Sequence, residues 1–237
     1  MSVQEHVKAV QERVAAAAAA AGRDVSEITL CAATKVQSDE IIAQAIAAGI
    51  TVCGENRVQE LTAHQQANAY EGAAVHFIGH LQTNKVNKVV GQVELIHSVD
   101  SERLLRTIDA QAAKLGICQD ILLEVNIAEE ESKGGIPPHQ VREMVELAGT
   151  MAHIRLRGLM AIPPISTAPG GNRRFFAEMH QLFVDIKGEM AHNQNEFNCL
   201  SMGMSGDFED AIAQGSTLVR VGTALFGPRP PMASAQK

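Results

Sequence analysis

Residues 28–35 read ITLCAATK. Seven small, apolar or β-branched residues run together without in-out alternation, six of them (28–33) as the strand-like run, and a lysine closes them. A strand buried on both faces looks like this, because helices cover both sides of a parallel sheet. Working outward, residues 2–21 carry Val3, Val7, Val10 and Val14 at helical spacing and then a run of alanines, until Gly22 stops them. Downstream, apolar runs of the same kind recur at 51–53, 75–78, 95–99, 121–127, 156–160, 199–202 and 218–221, which makes eight. Segments with helical periodicity lie between most of them, at 39–48, 103–115, 139–148, 173–190 and 207–214. Strand and helix alternate throughout. Eight such units in 237 residues predict an α/β fold, a single (β/α)8 TIM barrel with an extra N-terminal helix, in preference to an open Rossmann-like sheet.

No Pro/Gly/Ser linker divides the chain. The richest loop, residues 162–172 (IPPISTAPGGN), falls between the sixth and seventh units. Residues 1–237 are therefore expected to form one domain, with 228–237 a loose tail and the 162–172 loop mobile. A net charge of −7 gives no help to binding nucleic acid or an anionic membrane, so neither is expected as a partner. The apolar stretch 14–21 is far shorter than the roughly 20 residues that span a bilayer. Glu5 and Glu12 also argue against a secretory leader. Cys31, Cys53, Cys118 and Cys199 are widely spaced, and each lies in or beside an apolar run, so they read as buried thiols of a reducing compartment. The expected location is the cytoplasm.

In a TIM barrel the site forms where the strands end, so the residues just after each run carry the chemistry. Lys35 ends the first run, and Glu55, Asn56 and Arg57 follow the second. His80 and residues 82–85, with Asn84 among them, follow the third, while residues 201–205 and 220–223 follow the seventh and eighth. A lysine closing an apolar strand is either desolvated, so that its amine is free to attack an aldehyde, or it snorkels to the rim. The loops holding Ser201, Gly203, Ser205, Gly206, Gly222 and Thr223 have the glycines and hydroxyls of a phosphate cradle, or else they are tight turns with a capping serine. Arg220, between Val219 and Val221, needs a partner: a carboxylate inside the barrel or a ligand's ring nitrogen or phosphate. Lysine on one side with cradle and arginine on the other outline an aldehyde-bearing phosphate ester. His76 and His80 at i, i+4 on a strand are not a helical metal pair, and no metal site is assigned. Residues 129–135 (EEESKGG) after the fifth strand are a solvated loop or a lid. Dinucleotide, P-loop and serine-hydrolase signatures do not occur.

Several further motifs stand in one order: ATK at 33–35, GENRVQE at 54–60, HFIGHLQTNK at 76–85, SVD at 98–100, RGLMAIPP at 157–164, LSMGMSGDFEDAI at 200–212 and GSTLVRVGTALFG at 215–227. Through nearly its whole length the sequence resembles the pyridoxal phosphate homeostasis proteins, relatives of the barrel of alanine racemase. The resemblance implies pyridoxal 5′-phosphate (PLP) as cofactor, held as a Schiff base on Lys35. It also implies Ser201, Gly203, Gly222 and Thr223 around the phosphate, Arg220 facing the pyridine nitrogen, and Asn56 and Asn84 near the cofactor. Members of that family are regarded as carriers or regulators of vitamin B6 supply, so the expected role is PLP homeostasis without a catalytic residue. The expected partners are PLP and apo PLP-dependent enzymes, and the expected state is a monomer.

Two physical points agree with a carrier. An arginine opposite the ring nitrogen disfavours its protonation and weakens the electron sink that carbanion chemistry needs. A racemase also wants a second acid/base, and the chain's one tyrosine, Tyr70, lies between the second and third strands. The competing readings are a PLP-dependent racemase-type enzyme and a phosphate-sugar barrel enzyme with a structural Lys35.

Overall fold

The computed structural model describes residues 2–130, 133–166, 168–190 and 196–227. The tail at 228–237, Glu131 and Ser132 of the acidic loop, and Thr167 of the proline-rich loop lie outside the described residues. Eight strands close into a parallel barrel in chain order: β1 (Thr29–Ala33), β2 (Val52–Glu55), β3 (Ala74–Phe77), β4 (Leu95–Val99), β5 (Gln119–Val125), β6 (Ile154–Ala161), β7 (Cys199–Ser201) and β8 (Leu218–Val221). β8 pairs back onto β1, with Leu30 opposite Val219 and Cys31 opposite Arg220. The expected (β/α)8 architecture is thus present, and no sheet edge is left exposed.

The expected extra helix is α1 (Val3–Ala20). Its start is a capping box: Glu5 N–H donates to Ser2 Oγ at 3.2 Å, and Ser2 N–H donates to Glu5 Oε2 at 2.7 Å. Its apolar stripe, Val7, Val10, Val14 and Ala18, is buried. That stripe packs toward α2 (Asp39–Ala47), α7 (Phe208–Ala213) and α8 (Thr223–Phe226), so α1 covers the seam where the barrel closes. The other helices are α3 (Val58–Gln66), α4 (Glu102–Leu115), α5 (Val141–Gly149) and α6 (Arg173–Glu189). After β3 a 3-10 turn, Thr83–Lys88, stands where the pattern would place a helix. The main apolar core fills the layer between barrel and helices, while two small clusters, one around Cys31, Ala33 and Ile78 and one of Leu95, Leu122 and Met160, fill the barrel itself.

Most strand boundaries move by a residue or two from the sequence reading, and three of the two-residue shifts have a physical reason. β6 begins two residues before the apolar run, because Arg155 and Arg157 are satisfied across the ladder by Asp120 of β5, at 2.6 and 3.1 Å. β5 likewise starts early at Gln119, whose amide Nε2 donates to Val93 O. β2 runs on to Glu55, which the sequence placed after the strand; its side chain is buried, and it accepts a 2.5 Å bond from Thr34 Oγ1. All four cysteines are free thiols, but Cys118 is exposed and Cys199 only partly covered, so the expectation of four buried thiols holds for Cys31 and Cys53 alone.

Candidate functional site

Parallel strands all end on one side, so the residues after them meet at one mouth. A pocket of about 240 Å³ opens there, lined by Lys35 after β1, Asn56 after β2, Arg220 on β8, and Gly222 and Thr223 after β8. Five of the eight residues singled out in the sequence are thus brought together. Ile78, Ile162 and Phe226 give the pocket an apolar side, and Ser205 and Gly206 approach from the β7 loop.

The turn that carries Lys35 is clamped on both flanks. Thr34 N–H donates to Gly54 O at 3.0 Å, and Val36 N–H donates to Glu60 Oε2 at 3.1 Å. Val36 has φ 64, uncommon for a β-branched residue, so the clamp holds a backbone shape the sequence would not choose alone. Behind the turn, burial pushes the Glu55 carboxyl up from its ordinary value, while the Thr34 bond pulls the other way. The Tyr70 hydroxyl stands near Glu55 without hydrogen-bond geometry, and Tyr70 is buried on that outer side, away from the pocket.

After β8, the neighbour of β1 in the barrel, the N–H groups of Gly222 and Ala224 converge on one oxygen, Ser205 Oγ, at 3.1 and 3.2 Å. Two backbone donors aimed at one point are what an anion cradle consists of. A Cβ on Gly206 would meet nothing within 4 Å, so that loop leaves open space. Asn56 Oδ1 is buried and has no hydrogen-bond partner among the described residues, an acceptor without its donor at the pocket wall.

Arg220 is 4% exposed, and burial pulls its guanidinium pKa below the ordinary value. Its Nη2 donates to Ala161 O at 2.9 Å and its Nη1 to Ser201 Oγ. Among the described residues no carboxylate pairs with it, so the carboxylate alternative raised by the sequence is not the one found.

The three remaining residues lie elsewhere. Ser201 is fully buried inside the barrel, bonded to Arg220 and His97, and its hydroxyl does not line the pocket. Gly203 works through its backbone: φ is 93, a Cβ there would come within 2.5 Å of Ala211 Cβ, and its carbonyl accepts from Arg220 N–H. Asn84 is exposed on the 3-10 turn, facing the outer side near Lys114. Ser205 is the pocket residue that the sequence reading named only as part of its loop. Its signal was the spacing to β8, which puts the β7 and β8 loops side by side.

A closed parallel barrel whose C-terminal mouth brings together a lysine after β1 and converging backbone N–H groups after β8 points to a class, the barrels of the alanine racemase type. The model of the alanine racemase N-terminal domain family matches residues 6–230. An alanine racemase of Clostridium difficile shares the fold at TM-score 0.72 and 14% identity, covering 93% of this chain and 57% of that one. Nearer relatives resolve the class further. The chain is 40% identical to the pyridoxal phosphate homeostasis protein of Aquifex aeolicus, over 97% of this chain and 99% of that one. It superposes on PipY of Synechococcus elongatus, solved with PLP bound, at TM-score 0.78 and 32% identity over 92% and 100% of the two chains. The chain belongs to the family of pyridoxal phosphate homeostasis proteins.

Proposed function

We propose that this protein binds pyridoxal 5′-phosphate at the C-terminal mouth of its barrel, as a Schiff base on Lys35, and serves intracellular supply of that cofactor. The observation that carries the reading is the convergence of Gly222 and Ala224 N–H on Ser205 Oγ, in the pocket that Lys35 also lines. When bound, the group supplies an aldehyde for the lysine and a ring that can accept electrons. The chain's own residues do the rest. Lys35 offers the amine, held by the Thr34 and Val36 clamps. Gly222, Thr223, Ala224 and Ser205 offer donors to a phosphate, charge-assisted bonds worth about 1.5–3 kcal/mol each. Arg220, a permanent donor, keeps a ring nitrogen it faces unprotonated. Asn56 offers its unpartnered oxygen to a hydroxyl.

Arg220 beside the ring and Tyr70 packed outside the pocket support a carrier in preference to a racemase-type enzyme. Four exposed apolar side chains, Val36, Ile162, Ile165 and Met204, follow β1, β6 and β7 at the same mouth, which suits delivery to apo PLP-dependent enzymes by contact. The decisive experiment is an absorbance spectrum of the protein with PLP before and after borohydride, followed by peptide mapping. A pyridoxyl group fixed on Lys35 is the expected result. Label mainly on Lys85 or Lys133 would overturn the assignment.

A further inference from the structure

Beneath Arg220 the barrel interior holds a row of polar side chains that the PLP reading does not use. Ser201, His97 and His76 are 0%, 0% and 8% exposed. Ser201 Oγ lies 3.0 Å from His97 Nδ1, and His97 Nε2 lies 3.0 Å from His76 Nδ1. The direction of every bond follows from one end. Arg220 can only donate, and it donates to Ser201 Oγ. Among the described residues the one remaining acceptor in reach of the Ser201 proton is His97 Nδ1. His97 therefore carries its own proton on Nε2 and donates to His76 Nδ1, which leaves the His76 proton on Nε2. Burial keeps both rings neutral: it pulls His76 down to about 4 and His97 well below its ordinary value.

The row ends at a second cavity. His76 lines a space of about 450 Å³ at the N-terminal mouth, with Thr29, Glu94, Asp120, Arg157 and Thr217 around it. His76 Nε2 has no partner among the described residues.

We propose that His97 and His76 are positioning residues that fix Arg220 through Ser201, and that this one-way hydrogen-bond chain ties the upper pocket to the cavity at the opposite mouth. Arg220 is held at Nη2 by Ala161 O and at Nη1 by Ser201, and a serine committed to His97 cannot give up the second contact without breaking a buried polar network. The effect on a bound ligand rests on the upper pocket being the PLP site, whereas the proton positions do not.

Nitrogen-15 NMR of the histidine-labelled full chain separates the two. Without PLP, His97 and His76 are both expected to carry the proton on Nε2; a proton on His97 Nδ1 overturns the chain, whatever the upper pocket binds. With PLP added, the His76 ring nitrogens are expected to shift in the parent protein and not in His97→Leu. Unchanged His76 signals in a protein whose absorbance shows PLP bound would overturn the coupling. Release of PLP is expected to be about tenfold faster in His97→Leu and within about twofold of parent in His97→Gln, which keeps one acceptor and one donor. Equal release from the leucine variant would also sink the positioning role. A parent protein that takes up no PLP refutes the reading of the upper pocket, and the proton positions alone then decide the chain.

Discussion

Ser201 ends β7 and Ser205 lies four residues on in the loop that follows, and of the two only Ser205 lines the pocket. The sequence showed that a serine-glycine loop follows the seventh strand, but strand length decides which serine emerges, and β7 ends at Ser201 with its side chain turned inward. The two serines therefore fail differently. Ser205→Ala removes the hydroxyl at the focus of the cradle and is expected to loosen PLP by about tenfold or more in equilibrium dialysis. Ser201→Ala is expected to act through Arg220, altering the spectrum of bound PLP before its retention; a larger loss of retention from Ser201→Ala than from Ser205→Ala would reverse these roles. Glu55 makes a stability prediction with a definite sign. Its folded pKa is raised, so above the ordinary value of 4.5 the folded state keeps a proton that the unfolded chain has released. Stability is full below that value and falls as pH rises through the folded pKa. Glu55→Gln keeps the Thr34 bond and is expected to raise Tm over parent at pH 8 by more than at pH 5. Equal differences at both pH values in a thermal melt would refute the linkage.

At the scale of elements, apolar runs located all eight strands, because a strand buried on both faces must be apolar. What escaped were the polar ends. Arg155, Arg157 and Asp120 hide their strands from a hydrophobicity reading because they satisfy one another across the ladder. The one-turn α8 also escaped, being too short to show a period. Lys35, Asn56, Arg220, Gly222 and Thr223 meet at the mouth because each lies at or just after a strand end, whereas the 3-10 turn after β3 carries Asn84 outward. Gly158 marks a join that leaves no room for a side chain: φ is 148, and a Cβ would stand 1.8 Å from Cys199 O. Gly158→Ala is expected to part β6 from β7 and to cost more than about 3 kcal/mol in urea unfolding. A loss below about 1 kcal/mol would show that the ladder can shift to accommodate it. Ser2→Ala, which breaks a cap at the surface, is expected to cost only about 0.5–2 kcal/mol.

For the whole molecule, the question is whether a loaded barrel turns over. A positioned acid/base contributes roughly 10² to 10⁴ in rate, and no tyrosine among the described residues lines the pocket. The protein loaded with PLP is therefore expected to leave the α-proton of L-alanine in place in D2O by NMR. Exchange at tens per second, abolished in Lys35→Ala, would restore the racemase-type reading.

The pairing of β8 with β1 has a consequence for how the protein comes into being. Lys35 belongs to the first strand, and Arg220, Gly222 and Thr223 belong to the last, so the two walls of the pocket are made at opposite ends of translation. A growing chain with seven strands folded has the lysine but no cradle. Capture of the cofactor is thus expected to wait on ring closure, a contact of very large sequence separation and hence of large closure entropy. Binding of PLP between these two walls is expected only once the ring has shut.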